Sequence, residues 1–480
     1  MDALTESPAH ERALPDGERA SPLPSALSDR LAEMLGRRWT TSASDCMTHG
    51  RDESPYPACP PWGVAYPEST QEVARIVGLC AEHRIPVIPY GAGSSIEGHL
   101  LAVAGGVSVD MSRMNQVIAV RPEDLSATVQ AGVTREALNA ALAATGFFFS
   151  VDPGANASIG GMVATSASGT NTVRYGTMRD NTVALTVVTA EGCVVRTASR
   201  ARKTSAGYCL TQLFAGSEGT LGIITEVTVR LHPIPEAVAA AVVTFPSTVA
   251  AVNCVIQAIQ LGTPLARAEM LDALTVRAIN AYSGMSLQPA PTLFLEFCGS
   301  DASVAAQAEV VAGIVAEHGG SDFSWATRPE DRTRLWKPRH NALYAALQLR
   351  PGSRSLTTDA CVPLSQLAKC LDETVKDIES SGLLAPVFGH VGDGNFHCLL
   401  LVDPNDRGEV QRAEEVSARL IERAIRCEGT CTGEHGVGLH KKPYLFLEYG
   451  EDGVDLMRRV KQALDPHNIM NPGKVIDLRP

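Results

Sequence analysis

The sequence predicts an α+β protein in two main parts, and three observations carry that expectation. At 480 residues the chain is longer than one hydrophobic core usually serves. Three clusters of glycine and other small residues stand beside strand-like runs in its first half, at 91–98, 153–181 and 216–222. From Ala237 onward, strand and helix patterns alternate as in βαββαβ units, the ferredoxin-like arrangement with an antiparallel sheet. The expected division is a tail and helix over residues 1–55, a first domain over 56–236, a second over 237–440, and a segment 441–480 that packs back on the first.

Composition narrows the class. Fifty-three acidic against 41 basic side chains give a formal charge of −12 with no concentrated Lys/Arg block, which argues against nucleic acid as a partner. The 12 cysteines are scattered without a CxxC pair and read as reduced thiols rather than disulfides or a structural zinc cluster. Residues 1–24 have neither the apolar core of a signal peptide nor the Arg-rich, acid-poor character of a transit peptide, and are expected to be a flexible lead-in. No run approaches the roughly 18 apolar residues of a membrane helix. A soluble, cytoplasmic chain is expected, with peripheral contact at the inner membrane left open.

Taken in order, residues 25–35 read as an amphipathic helix and 54–62 as a Pro-rich loop. After a short strand at 64–66, Ser69 opens a helix with Glu72 at the capping-box spacing. The strand 87–90 runs straight into Gly91-Ala92-Gly93-Ser94-Ser95-Ile96-Glu97-Gly98. The dinucleotide fingerprint fails there, because Ile96 stands where the third glycine is needed and a strand-like run follows where a helix should start. What remains is a loop whose backbone N–H groups can approach a pyrophosphate. Strands 117–120 and 127–130 and a helix capped by Thr134 lead to the run 153–181, too long for a plain connection and small enough in side chain for a flat aromatic ligand to lie on its backbone. Gly160-Gly161 is expected to start a short helix whose N-terminus faces a phosphate. Strands 182–189 and 193–196 precede the third cluster and the strand 223–231. The prolines of His232-Pro233-Ile234-Pro235 cannot continue a ladder and mark the boundary.

Beyond it, strands 237–245, 266–270 and 293–297 alternate with helices 248–261, 273–282 and 302–318. A helical stretch 329–349, a strand 356–362, a helix 364–380, a hairpin and a helix 407–427 make a second unit, so this part reads as a structural duplication. A helix over 456–471 closes the chain. The hairpin, GHVGDGNFHC over 389–398, is where the chemistry is expected. Asp393-Gly394 signals a two-residue type I′ turn, which sets His390 opposite His397. Opposed Cβ atoms lie about 4.5–5.5 Å apart, the spacing at which two imidazoles share a divalent metal. Asn395 shares that face, and Gly433-Glu434-His435-Gly436-Val437-Gly438 offers a carboxylate beside a third imidazole.

On these residues the chain resembles a known family. PYGAGSSIEG, PGANASIGGMVATSASGTNTVRYG, GSEGTLGIITEVTVRL, GHVGDGNFH, GEHGVG and NPGK occur in this order in the D-2-hydroxyacid dehydrogenases that carry FAD, within the vanillyl-alcohol-oxidase/PCMH-type flavoproteins. The resemblance spans Tyr56 to Lys474 and points to the branch that acts on D-lactate with a cytochrome as acceptor. It implies a two-part PCMH-type FAD-binding domain, an α+β cap domain, and non-covalent FAD. The pyrophosphate would rest on Tyr90, Gly91, Ala92, Gly93, Ser94, Ser95 and Gly98. The flavin would lie along Pro153, Gly154, Ile159, Gly160, Gly161, Ala164, Ser166, Gly169, Tyr175 and Gly176, then Glu218, Gly222, Ile223 and Ile224, with Asn471 completing the site.

The same resemblance implies that His390, His397 and Glu434 ligate zinc or manganese and that His435 is the catalytic base. Arg339 would hold the substrate carboxylate through a bidentate pair, with Asn395 and His435 also touching substrate. A metal on the hydroxyl lowers its pKa, a neutral imidazole takes the proton, and the flavin takes the hydride. Relatives acting on 2-hydroxyglutarate carry a lysine where this chain has Thr357-Thr358 before Asp359, so a monocarboxylate such as D-lactate is expected, with glycolate and 2-hydroxyglutarate as alternatives. Arg354 stands close enough in sequence to be weighed as a substitute cation. The implied acceptor is cytochrome c or a quinone, and a homodimer is compatible with the sequence.

Overall fold

The computed structural model describes residues 23–478, so all but the last two residues of the expected lead-in over 1–24 lie outside the described residues. The chain divides into two compact units. One takes in the described residues up to Gly169, Gly176–Ile234 and the described residues from Glu434; the other takes in Thr170–Tyr175 and Pro235–Gly433.

In the first unit, β1 (Trp39–Thr40), β2 (Gly63–Ala65), β3 (Val87–Tyr90) and β4 (Val107–Asp110) form a sheet in the order β1-β2-β4-β3. The following strands are β5 (Val117–Arg121), β6 (Ser126–Gln130), β7 (Phe147–Phe148), β8 (Thr182–Val188), β9 (Val194–Arg196), β10 (Ile223–Arg230) and β11 (His232–Pro233). Five of them make a second, antiparallel sheet in the order β5-β6-β10-β8-β9. The helix Thr70–Glu82 buries Val73, Ile76, Val77 and Cys80, one apolar stripe at helical spacing. Ser69 caps it by accepting the Glu72 N–H at 3.3 Å, but the Glu72 carboxylate turns to Arg38 and the Glu68 N–H, so only half of the expected capping box forms. Pairing also continues past the first proline of the 232–235 run: Pro233 opposes Phe147 in a two-residue ladder, where a missing N–H is tolerated, and the unit boundary falls at Pro235. The closing helix is Tyr444–Leu464, interrupted at Gly450, rather than 456–471. The helix Ala43–His49 was not foreseen, because its only buried residues, Cys46 and His49, show no readable period.

In the second unit, β12 (Ala237–Thr244), β13 (Leu265–Leu271), β14 (Thr292–Gly299) and β15 (Ser321–Ala326) lie antiparallel in the order β15-β12-β14-β13. Connected by the helices Thr248–Gln260 and Asp301–Glu317, this is a βαββαβ unit with the helix Ala273–Ser283 inserted between β13 and β14. β16 (Arg354–Thr357), β17 (Ala360–Cys361), β18 (Val387–His390) and β19 (Asn395–Val402) repeat the pattern with the helices Leu364–Ser381 and Arg407–Arg426. A bridge from Cys361 to Thr430 stands in place of a fourth outer strand. β13 pairs with β18 and joins the two repeats into one eight-stranded sheet.

Alternation along these strands sorts side chains to two faces. Ala268, Met270, Val387, Phe396, Cys398 and Leu400 belong to the larger core. Leu271, Phe294, Phe388, Leu399 and Leu401 pack with Trp336 and Ala342 in a second one. With both faces covered, all eight residues of β19 are buried.

Candidate active site

The second face of this sheet carries a row of buried polar side chains across four neighbouring strands. Glu269 on β13 stands opposite His390 on β18 by extension of the register Met270↔Gly389, and His390 stands opposite Asn395 on β19. His397 lies two residues further along β19, and Asp359 closes the row beside β17. The strand expected over 356–362 is broken at Thr358-Asp359, where the Thr358 hydroxyl accepts the Cys398 N–H at 2.9 Å.

The hairpin register differs from the expected one. His397 opposes Phe388, not His390, because the turn holds four residues, with the Asp393 N–H bonded to the His390 carbonyl at 3.1 Å. Gly394 alone takes a left-handed conformation, at φ +90°. An added Cβ there would lie 2.1 Å from the Val362 carbonyl oxygen, so the turn packs closely on that residue. A shift of two residues preserves the face, so the imidazoles remain diagonal neighbours with ring centroids 5.6 Å apart. Gly394→Ala combines strain with this clash and is expected to cost about 2–4 kcal/mol, read as a lowered Tm in thermal unfolding.

Each ring is held by its Nδ1. His397 Nδ1 donates to the Thr358 carbonyl at 3.0 Å, and His390 Nδ1 donates to Glu269 at 2.6 Å. Carbonyl and carboxylate oxygens only accept, so each ring carries a proton on Nδ1, which leaves Nε2 as the atom that can ligate a divalent cation. The Arg339 guanidinium also reaches Glu269, at 2.8 Å from Nε, and stacks 5.3 Å over the Phe388 ring. Burial would raise the Glu269 carboxyl, but the His390 and Arg339 charges and their hydrogen bonds outweigh it and hold it below the ordinary range. Losing one member of such a buried set costs about 3–5 kcal/mol. Arg354 opposes Val402, so alternation places it on the other face, and it is exposed.

At the other end of the row, Asp359 accepts from Asn395 Nδ2 at 3.2 Å and from the Thr432 hydroxyl at 2.7 Å. Gly433 is pressed against this pair, for a Cβ there would lie 2.1 Å from Asn395 Nδ2. Asn395 Oδ1 is buried without a hydrogen-bond partner among the described residues. Glu269 escaped the sequence reading, although a lone carboxylate in the apolar strand LARAEML was a readable signal. Asp359 was noticed but given no role.

In the first unit the three glycine clusters meet. A Cβ at Gly91 would lie 2.5 Å from Ser158 Oγ. The N–H groups of Gly216 and Glu218 bond to the Val163 and Ala164 carbonyls at 2.9 and 2.8 Å. Asn471 Nδ2 donates to the carbonyls of His99 and Glu218 at 3.1 and 2.8 Å. Tyr90, Ser94, Ser95, Gly98, Ile159, Ser166, Gly169, Gly176, Gly222, Ile223 and Ile224 all belong to this unit. Among the described residues, no protein acceptor takes a hydrogen bond from the amides of Ala92 to Gly98, and such a row of donors fits a pyrophosphate. The helix Ile159–Ala164 forms as expected, but its N-terminus does not offer its amides: those of Ile159 and Gly160 bond to Val133 and Ala131, and that of Gly161 to the Ser158 cap. Thr170–Tyr175 belongs to the other unit, where the Tyr175 hydroxyl meets Cys298 Sγ at 3.8 Å and Arg267 bonds to Asn171.

The run that begins at Glu434 belongs to the glycine-cluster unit rather than starting that segment at 441. The Glu218 carboxylate takes the amides of Val437 and Gly438 at 2.7 and 2.9 Å, and Ser168 donates to Glu434 at 2.8 Å. His435 Nδ1 lies 3.9 Å from Glu97, and its Nε2 3.9 Å from Glu434. Glu97 also meets Lys441 and His440, each at 2.8 Å. Burial would raise its carboxyl, yet these cations bring it down to about 2.

Comparison with known proteins agrees with this arrangement. Residues 61–198 match the FAD binding domain, and residues 234–475 match the C-terminal domain of the FAD linked oxidases. The chain is 50% identical over 433 residues to a probable mitochondrial D-lactate dehydrogenase of Danio rerio, covering 90% of this chain and 87% of that one. It is 44% identical over 456 residues to the mitochondrial D-lactate dehydrogenase [cytochrome] of Arabidopsis thaliana, covering 95% and 80%. With the glycolate oxidase subunit GlcD of Bacillus subtilis it shares 35% over 455 residues, covering 94% and 96%. p-Cresol methylhydroxylase shares the fold, with a TM-score of 0.73 at 19% identity over 94% of this chain and 97% of that one. The chain thus belongs to the FAD-linked oxidases, an FAD-dependent enzyme family with the two-part fold of the PCMH-type flavoproteins.

Proposed function

We propose that this chain oxidises D-lactate to the 2-oxo acid and passes the electrons through FAD to a cytochrome or quinone. The observation that carries this reading is the buried row Glu269, His390, Asn395, His397 and Asp359 with Arg339 at its end, which combines ligand-ready imidazoles with a cation suited to a carboxylate. Relatives named D-lactate dehydrogenase support the substrate. FAD supplies the hydride acceptor. Arg339 binds the substrate carboxylate and orients the carbon, Asn395 contacts the substrate, and His435 removes the hydroxyl proton.

The donor set also suits a divalent metal. Both imidazoles hold a proton on Nδ1, which leaves Nε2 to face a metal. We assign His390, His397 and Glu434 as ligands of zinc or manganese, which would lower the pKa of the substrate hydroxyl. Arg354 is turned to the opposite face, which supports a monocarboxylate over 2-hydroxyglutarate. Glycolate is the second reading, favoured by the GlcD relatives. No helix among the described residues is long and apolar enough to cross a membrane, which supports peripheral access to the acceptor.

Anaerobic titration of the yellow protein tests the reading. D-lactate is expected to bleach the flavin at lower concentration than glycolate or D-2-hydroxyglutarate, with L-lactate inert. A flavin that no D-2-hydroxy acid reduces would refute the proposal.

A further inference from the structure

We propose that Glu269 is a positioning residue, one buried carboxylate that sets both the metal-ligating ring of His390 and the substrate-binding guanidinium of Arg339. The inference rests on the function proposed above. Glu269 lies on β13, opposite His390 on β18, at the seam that joins the two βαββαβ repeats. Its side chain is 1% exposed. Each carboxylate oxygen serves one partner: Oε1 accepts the Nδ1–H of His390 at 2.6 Å, while Oε2 accepts from Arg339 Nε at 2.8 Å and lies 2.8 Å from its Nη2.

Two consequences follow from that division. Because a carboxylate only accepts, the His390 proton is fixed on Nδ1, and the ring presents Nε2 as its ligand atom. Because the Nε–Nη2 edge of Arg339 is already occupied, a substrate carboxylate has the Nη1–Nη2 edge to pair with, and stacking over Phe388 limits rotation of the plane. Glu269 therefore decides which edge of the guanidinium meets the substrate. Asp359, the other buried carboxylate of the row, serves Asn395 and Thr432 instead.

The test compares wild type with Glu269→Gln, purified as flavin-loaded protein and supplied with zinc or manganese. Wild-type-like flavin content and a single cooperative unfolding transition, even at a lowered Tm, serve as controls of folding. The variant is expected to hold the metal about 10–100-fold more weakly after dialysis, read by elemental analysis. Its KM for D-lactate is expected to rise about tenfold, with a smaller change in kcat. A folded variant with wild-type metal retention and wild-type KM overturns the inference. Should Glu269→Gln fail to fold, Glu269→Asp keeps the charge but is one methylene shorter and reaches only one partner. It is expected to lose either metal retention or substrate affinity, and wild-type values of both overturn the inference equally. A wild-type protein that neither holds metal nor is reduced by D-lactate overturns the proposed function together with this inference, whereas an intact wild type beside an unaltered variant overturns the role of Glu269 alone.

Discussion

Replacing His435 by alanine is expected to lower turnover of D-lactate by about 10²-fold or more while FAD stays bound. A positioned general base contributes about 10²–10⁴-fold, or roughly 3–5 kcal/mol of barrier. Nothing else in the run around His435 replaces it. Glu434 is assigned to the metal, and Glu97 is committed to Lys441 and His440. The local backbone does not depend on the imidazole, because the amides of Val437 and Gly438 are tied to the Glu218 carboxylate. The loss should therefore appear in kcat, measured with an artificial dye acceptor, without loss of the flavin absorbance. Unchanged turnover in a flavin-loaded variant would remove His435 from the mechanism.

Removing the metal is expected to abolish turnover with the yellow colour retained, and adding zinc or manganese back is expected to restore it. The residues assigned to the metal are not those that suit the pyrophosphate: His390 and His397 lie on the sheet of the second unit, and Glu434, although in the first, is not part of the loop Ala92 to Gly98. Chelation should thus separate the two cofactors. Without a cation the substrate hydroxyl keeps its high pKa, which a neutral imidazole cannot match near pH 7. The check is dialysis against a chelator, followed by paired measurement of flavin absorbance and D-lactate turnover. Full activity in demonstrably metal-free protein would sink the metal assignment.

Local signals were legible where chemistry is local. Small residues after β3, the caps at Ser69 and Thr134, and the shared face of His390, Asn395 and His397 depend on spacing and residue type, and each could be read directly. Parity even survived an error: the turn at Asp393-Gly394 is wider than the dipeptide suggests, but a slip of two residues leaves every side chain on its face. The helix Ile159–Ala164 illustrates the opposite limit. Its glycines and cap were readable, whereas the carbonyls of Ala131 and Val133 that take up its first amides come from the loop after β6.

By itself, the sequence determined the two-part α+β character, the glycine clusters, the pair of imidazoles on one sheet face and the Glu434-His435 dipeptide. Tertiary structure alone decided that Glu269 stands beside His390, that Asp359 holds Asn395, that Arg354 is turned away, and that Thr170–Tyr175 joins the second unit. The physical reason is the range of the interactions. Periodicity and turn chemistry act over a few residues, whereas cross-strand pairing brings together residues as far apart as Glu269 and His390, and no spacing along the chain encodes that register.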